Sequence, residues 1–272
     1  MNGERARDLV AGLRSSEPGE RLHALDRLAA APRPLRGDLL DAVLACLSGE
    51  TKVLQRRAVD VLRLTGSAKR LDIVARLRAA CDGGDPSLRW GAAYALGSLG
   101  VFSPALVTPL MEALAQRDGD RRWAAAGLTV AYGHAHAEVV VPALLTALAG
   151  GGSELRKMVL YVLRDLSPGT PEIAAAFMRS LADPERAVRL AALSALCRLD
   201  PPPHGACDLV LRVIRDDPDL GVRRAATSAL GVVGRSVAAA REVIDEASAS
   251  PDEGLRRAAD RARRRLGADA LG

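Results

Sequence analysis

DPERAVRLAALSAL (183–196) and DPDLGVRRAATSALGVVG (217–234) are two copies of one phrase, set 34 residues apart. Each opens on an Asp-Pro turn and runs into an Ala- and Leu-rich stretch with helical spacing. Working outward, the arginine inside the phrase returns at Arg21, Arg89, Arg122, Arg156, Arg189, Arg223 and Arg256, with Gln55 in the one missing place. Every step in that series, Gln55 included, is 33 or 34 residues. A fixed period of this size marks a stack of small units, each burying its apolar face against its neighbours.

One unit reads as helix, polar turn, helix. AEVVVPALLTALA (137–149) is a first helix, Gly150 to Glu154 a turn, and LRKMVLYVLRDL (155–166) the second helix. The order repeats with SPALVTPLMEALAQ (103–116), a turn around Asp118 and Gly119, and RWAAAGLTVAYG (122–133). Gly, Asp and Pro stop the first helix, and Asp or Ser caps the second. Pro109 and Pro142 fall in first helices, where each removes a backbone donor and is expected to bend its helix.

The chain has 272 residues, 49% of them hydrophobic and only 3% aromatic. Ala and Leu dominate, and both are strong helix formers. No apolar run approaches the roughly 18 residues of a membrane span. The start, MNGERARDLV, lacks the apolar core of a signal peptide. These features point to a cytoplasmic protein with no membrane partner. Cys46, Cys81, Cys197 and Cys207 show no CxxC spacing and read as small hydrophobes. A net charge of +5 admits a polyanionic partner without requiring one.

The pattern resembles the HEAT-repeat family, in the short bacterial form also found in phycobilin-lyase-like repeats. The resemblance is carried by Pro109–Leu110 and Pro142–Leu145 in first helices. The Asp-Pro turns at 183–184 and 217–218, each followed by Val-Arg-x-Ala-Ala-x-x-Ala-Leu, complete it. It implies an all-α, right-handed α-solenoid of about eight helical hairpins forming one domain over 1–272. Units are expected near 1–31, 37–66, 69–100, 103–133, 137–167, 170–200, 204–234 and 236–267. Unit one, ERLHALDRLAA (20–30), keeps the Arg and lacks the Asp-Pro. The family also implies that such Asp and Arg side chains join neighbouring turns in a ladder, so the arginines read as structural.

On a wheel at about 100° per residue, Leu88, Ala92, Ala95, Leu96 and Leu99 share the core side of their helix, and Trp90 and Tyr94 fall almost opposite. The resemblance implies that this opposite side lines the concave surface. One unit later Trp123 follows Trp90 in register, then Lys157, while Tyr161 matches Tyr94. The candidate partner-binding residues are therefore Trp90, Tyr94, Trp123, Lys157 and Tyr161, flanked by Arg56, Asp60, Arg164 and Asp165. Aromatic and cationic residues together supply binding hot spots. Packing of these rings on one another is the competing explanation.

The expected function is non-catalytic binding of a protein or peptide in the concave groove, with no metal and no cofactor. The alternatives are a HEAT-like lyase or chaperone acting on a small aromatic ligand, and nucleic-acid binding. An alkylpurine DNA glycosylase of this family places an acid four residues after a groove tryptophan; here those places hold Tyr94 and Gly127. His134, His136 and Glu138 are a weak metal candidate. The basic stretch LRRAADRARRRLG (255–267) reads first as a capping unit with a wet outer face, and second as a site for an acidic partner or nucleic acid.

Overall fold

A computed structural model describes residues 2–49, 51–66, 70–166, 169–234 and 237–268, and these contain helices and turns without a strand. The chain falls into two compact units, Met1–Ala113 with Asp118–Val139, and Leu114–Arg117 with Val140–Gly272. Each is a stack of helical hairpins.

The first unit contains α1 (Asn2–Leu13), α2 (Pro18–Ala30), α3 (Gly37–Ala45), α4 (Lys52–Leu64), α5 (Leu71–Cys81), α6 (Pro86–Ser98), most of α7 (Val107–Leu114) and α8 (Gly119–Ala135). The second contains most of α9 (Ala137–Gly150), then α10 (Ser153–Leu166), α11 (Pro171–Arg179), α12 (Arg186–Leu196), α13 (Ala206–Asp216), α14 (Leu220–Val233), α15 (Ala238–Ser248) and α16 (Glu253–Ala268). Short 3-10 turns at 46–48 and 180–182 extend α3 and α11, and another at 104–106 leads into α7.

The turn chemistry explains where second helices begin. Thr51, Asp85, Asp118 and Asp219 each sit in extended backbone and accept hydrogen bonds from amides of the following turn. Such caps satisfy donors that the helix itself cannot. Pro86 and Pro171 occupy first helical positions, where no donor is lost. Pro142 lies inside α9 as expected. Pro109 does not sit mid-helix: it falls in the first turn of α7, directly after the 3-10 turn at 104–106, so it starts that helix rather than interrupting it.

The second helices pack closely because their contact positions are small. Ala92, Ala93 and Ala95 of α6 are fully buried. A Cβ on Gly91 would lie 2.1 Å from the Leu47 carbonyl oxygen, so only glycine lets α6 approach the 3-10 turn at 46–48. Gly231 plays the same part between α14 and α16, where a Cβ would lie 2.7 Å from the Ala262 Cα. Leu25, Leu47, Leu62, Leu77 and Leu96 fill the first unit's interior. Each such burial contributes about 1.5–3 kcal/mol, several times the worth of an exposed ion pair. Among the described residues no helix is long and apolar enough to cross a membrane.

Candidate functional site

Arg89, Arg156, Arg189 and Arg256 of the periodic series are occupied by the fold. Arg189 Nη1 donates to the carbonyls of Asp183 and Pro184 at 3.0 and 2.9 Å, six and five residues earlier. Its other edge donates to Asp217 in the next turn. Arg156 repeats this, holding the Gly151 carbonyl at 2.7 Å and both Asp183 oxygens at 2.8 and 2.9 Å. Arg89 holds the Gly83 and Gly84 carbonyls and reaches Glu112. Arg256 holds the carbonyls of Ser250 and Pro251, both at 2.8 Å. Gln55 substitutes by donating Nε2 to the Leu47 carbonyl at 2.7 Å.

This ladder sets local protonation. Burial alone would raise the Asp183 pKa, but the Arg156 hydrogen bond, the Glu185 amide and nearby guanidinium charge outweigh it and hold the carboxyl below its ordinary range. The pattern slips at Arg223, whose Nε is buried without an acceptor while Asp252 is held by the neighbouring Arg224 at 2.9 and 2.5 Å. Hydrogen bonds from Arg224 and the Leu255 amide take the Asp252 pKa down to about 2.

The aromatic candidates divide between the two units. In the first, Trp90 is not open to solvent: it is only 6% exposed. Its ring stacks on Tyr94 with centroids 5.6 Å apart, and the Arg121 guanidinium lies over it at 6.0 Å. Lys52 ties down the same corner by pairing with Asp118 and Asp120 at 2.8 and 3.1 Å. The cavity left among Gln55, Arg56, Trp90 and Arg121 is ≈ 20 Å³, room for one water and not for a ring. The expectation that both indoles open together is therefore corrected. The opening turn of α8 brings Arg121 across Trp90, and a wheel drawn for α6 alone contains nothing of α8.

Trp123 does stand open, 54% exposed. Gly127 and Ala131, four and eight residues on, continue the exposed stripe of α8. A Cβ on Gly127 would meet nothing within 4 Å. Arg56 is exposed, and Asp60 is half-buried between Arg57 and Arg63 at 3.8 and 4.0 Å.

In the second unit Lys157 is half-buried and donates to both Glu154 oxygens at 2.8 and 2.7 Å. Tyr161 lies under the Arg164 guanidinium at 5.0 Å. Arg164 in turn holds Asp165 and donates to Ser194 Oγ at 3.2 Å. Lys157, Tyr161 and Arg164 thus put polar groups on α10, Lys157 held by Glu154 and Tyr161 covered by Arg164. Arg121, Lys52 and Asp120 were not singled out from sequence. Arg121 carried a usable signal in its place two residues before Trp123, but the pairing of Lys52 with a turn 66 residues away carried none.

The other candidates have local roles. His136 lies edge-on to Tyr132 at 5.6 Å and to Phe102 at 6.4 Å, and its Nδ1 is 3.3 Å from Glu138. His134 is exposed. On α16, Arg257 pairs with Glu253 and Arg263 with Asp245.

A family model described as HEAT repeats matches residues 40–129, 141–231 and 174–263. No curated protein matches the sequence. The Escherichia coli protein YibA, known from an X-ray structure, is similar with a TM-score of 0.54 at 13% identity, over 96% of this chain and 95% of that one. The karyopherin Kap121p, bound to the extreme C-terminus of the protein phosphatase Cdc14p, gives 0.62 at 13% identity over 98% of this chain. The match takes in 34% of Kap121p, so the chain spans about a third of that protein's length. At such identity both likenesses concern the fold alone.

Proposed function

The chain belongs to the HEAT-repeat family, and from that premise we propose that it is a non-catalytic scaffold holding a protein or peptide segment on the outward faces of its second helices. The observation that carries this reading is Trp123. A large apolar ring at 54% exposure, on a stripe whose next two positions are Gly127 and Ala131, leaves a shallow apolar track on α8. Aromatic anchors of this kind supply much of the energy at protein interfaces, and a preformed helical surface orders little on binding.

Within this reading Trp90 supports rather than contacts the partner. Its ring stacks on Tyr94 and lies under Arg121, a residue of the opening turn of α8. Arg56 is an exposed cation in the same unit, with Asp60 half-buried on the same helix. Lys157, Tyr161 and Arg164 offer the second unit's polar counterpart on α10. Kap121p, one of the similar folds, binds the end of another protein, which lends support by analogy.

Site-specific photo-crosslinking tests the proposal. A benzophenone amino acid at Ala131, in cells that make the protein, should capture a defined protein, and Trp123→Ala should abolish that adduct. An adduct unchanged by Trp123→Ala, or no adduct beyond that given by a probe at Arg78, would remove α8 as the docking surface.

A further inference from the structure

A groove of the second unit lies elsewhere, across α12, α14 and α16, with a volume of ≈ 710 Å³. Ser194, Ser228 and Arg261 line it, one from each helix, in the register that Tyr94 and Tyr161 occupy on α6 and α10. Its floor is aliphatic, with Leu193, Ala229 and Val232, and its rim carries Arg198, Arg261 and Arg265. These three guanidiniums differ from several others on the second helices of the unit, which are held by carboxylates. Arg164 holds Asp165, Arg189 holds Asp217 and Arg224 holds Asp252. Among the described residues Arg198, Arg261 and Arg265 make no ion pair. Arg261 and Arg265 reach only the neutral Ser228, at 3.3 Å to its Oγ and 3.5 Å to its carbonyl.

We propose that this groove binds an acidic segment of a partner protein, with aliphatic side chains between its carboxylates. Three exposed, uncompensated forks around one groove make a local positive field, and each fork matches a carboxylate in two-pronged geometry. The aliphatic floor takes the intervening side chains, and the volume suits a few residues of extended chain. A single-stranded nucleic acid fits less well, because none of the lining residues is an aromatic on which a base would stack. This surface is separate from Trp123, and the inference stands whether or not α8 binds anything.

Selection of random 12-residue peptides on the full chain, displayed on phage, tests this without assuming a sequence. The expected winners are rich in Asp and Glu with interspersed Leu, Ile or Val. The triple variant R198Q/R261Q/R265Q should weaken their binding at least about tenfold, with a steep loss in salt. The matched variant R78Q/R117Q/R179Q removes the same charge from exposed arginines elsewhere and should bind as the parent does. Trp123→Ala should also leave these peptides bound, which separates the two surfaces.

A second readout comes from Cys197, which lines the groove and is partly exposed while Cys46, Cys81 and Cys207 are buried. Bound peptide should slow maleimide labelling at Cys197, located by peptide mass. Winners without acidic bias, equal loss in both triple variants, no protection of Cys197, or preference for a 12-nucleotide single strand over the peptides would each overturn the proposal.

Discussion

Arg189 and Asp217 face each other as two forks, with Nε to Oδ2 at 2.7 Å and Nη2 to Oδ1 at 3.0 Å, across a gap of 28 residues. Their side chains keep only 10% and 4% of their surface. The same guanidinium caps the turn that starts its own helix, so one side chain ties two hairpins. Removing one partner strands a charge in a nearly dry place. Arg189→Met should cost about 3 kcal/mol in urea unfolding. A double-mutant cycle with Asp217→Asn should return a coupling energy above about 1 kcal/mol. Additive losses would mean that Arg189 acts only through the carbonyls of Asp183 and Pro184.

The same ladder predicts the acid response. Asp183 and Asp252 titrate lower in the folded chain than in the unfolded one, where the ordinary value is about 3.9. A depressed folded pKa means that the unfolded chain binds protons first on acidification. Their contribution is therefore complete above about pH 5, and it fades as pH falls through about 4 toward the folded value, about 2 for Asp252. Urea midpoints should be flat from neutral pH to about 5 and fall below that. Asp183→Asn should be less stable at pH 7 and show a shallower fall. An unchanged slope in that variant would exclude the Arg156–Asp183 pair as a source of the acid sensitivity.

The stacking of hairpins was legible because a repeat announces itself by period alone. Arg156 and Arg189 stand 33 apart, and Arg89 stands two periods before Arg156, because each must cap an equivalent turn. Exposure was less legible, because it depends on the neighbour as well as on the helix. Trp90 and Trp123 occupy the same register, yet the first is 6% exposed beneath Arg121 and the second is 54% exposed. The groove arginines were hidden for a third reason. Arg261 and Arg265 look like solvating charge in LRRAADRARRRLG until Arg257 and Arg263 are seen to be paired and they are not.

Two glycines at helical positions should respond in opposite directions. Gly91→Ala places a methyl 2.1 Å from the Leu47 carbonyl oxygen, so α6 must retreat from the 3-10 turn at 46–48. The loss should be about 1–3 kcal/mol, as for overpacked interiors. Gly127→Ala meets open space within α8 and should stabilise by about 0.5–1 kcal/mol, because alanine has less backbone freedom to lose. Thermal unfolding of the two variants checks the pair. Equal shifts would show that α6 is free to move away from Leu47 without cost.

The two tryptophans should separate stability from recognition. Trp90 is enclosed by Tyr94 and Arg121, so Trp90→Ala opens a cavity in the first unit and should cost about 3 kcal/mol or more. Any loss of binding would then be indirect, and Trp90→Phe should restore much of both. Trp123 already spends half its surface in water, so Trp123→Ala should move the unfolding midpoint little. It should nevertheless weaken capture of the partner at least about tenfold, the scale of an interface anchor. Intrinsic fluorescence distinguishes them independently: acrylamide should quench the Trp90→Phe protein strongly and the Trp123→Phe protein weakly. Should the quenching order be reversed, the buried and open indoles have been assigned the wrong way round, and α8 loses its claim as the docking track.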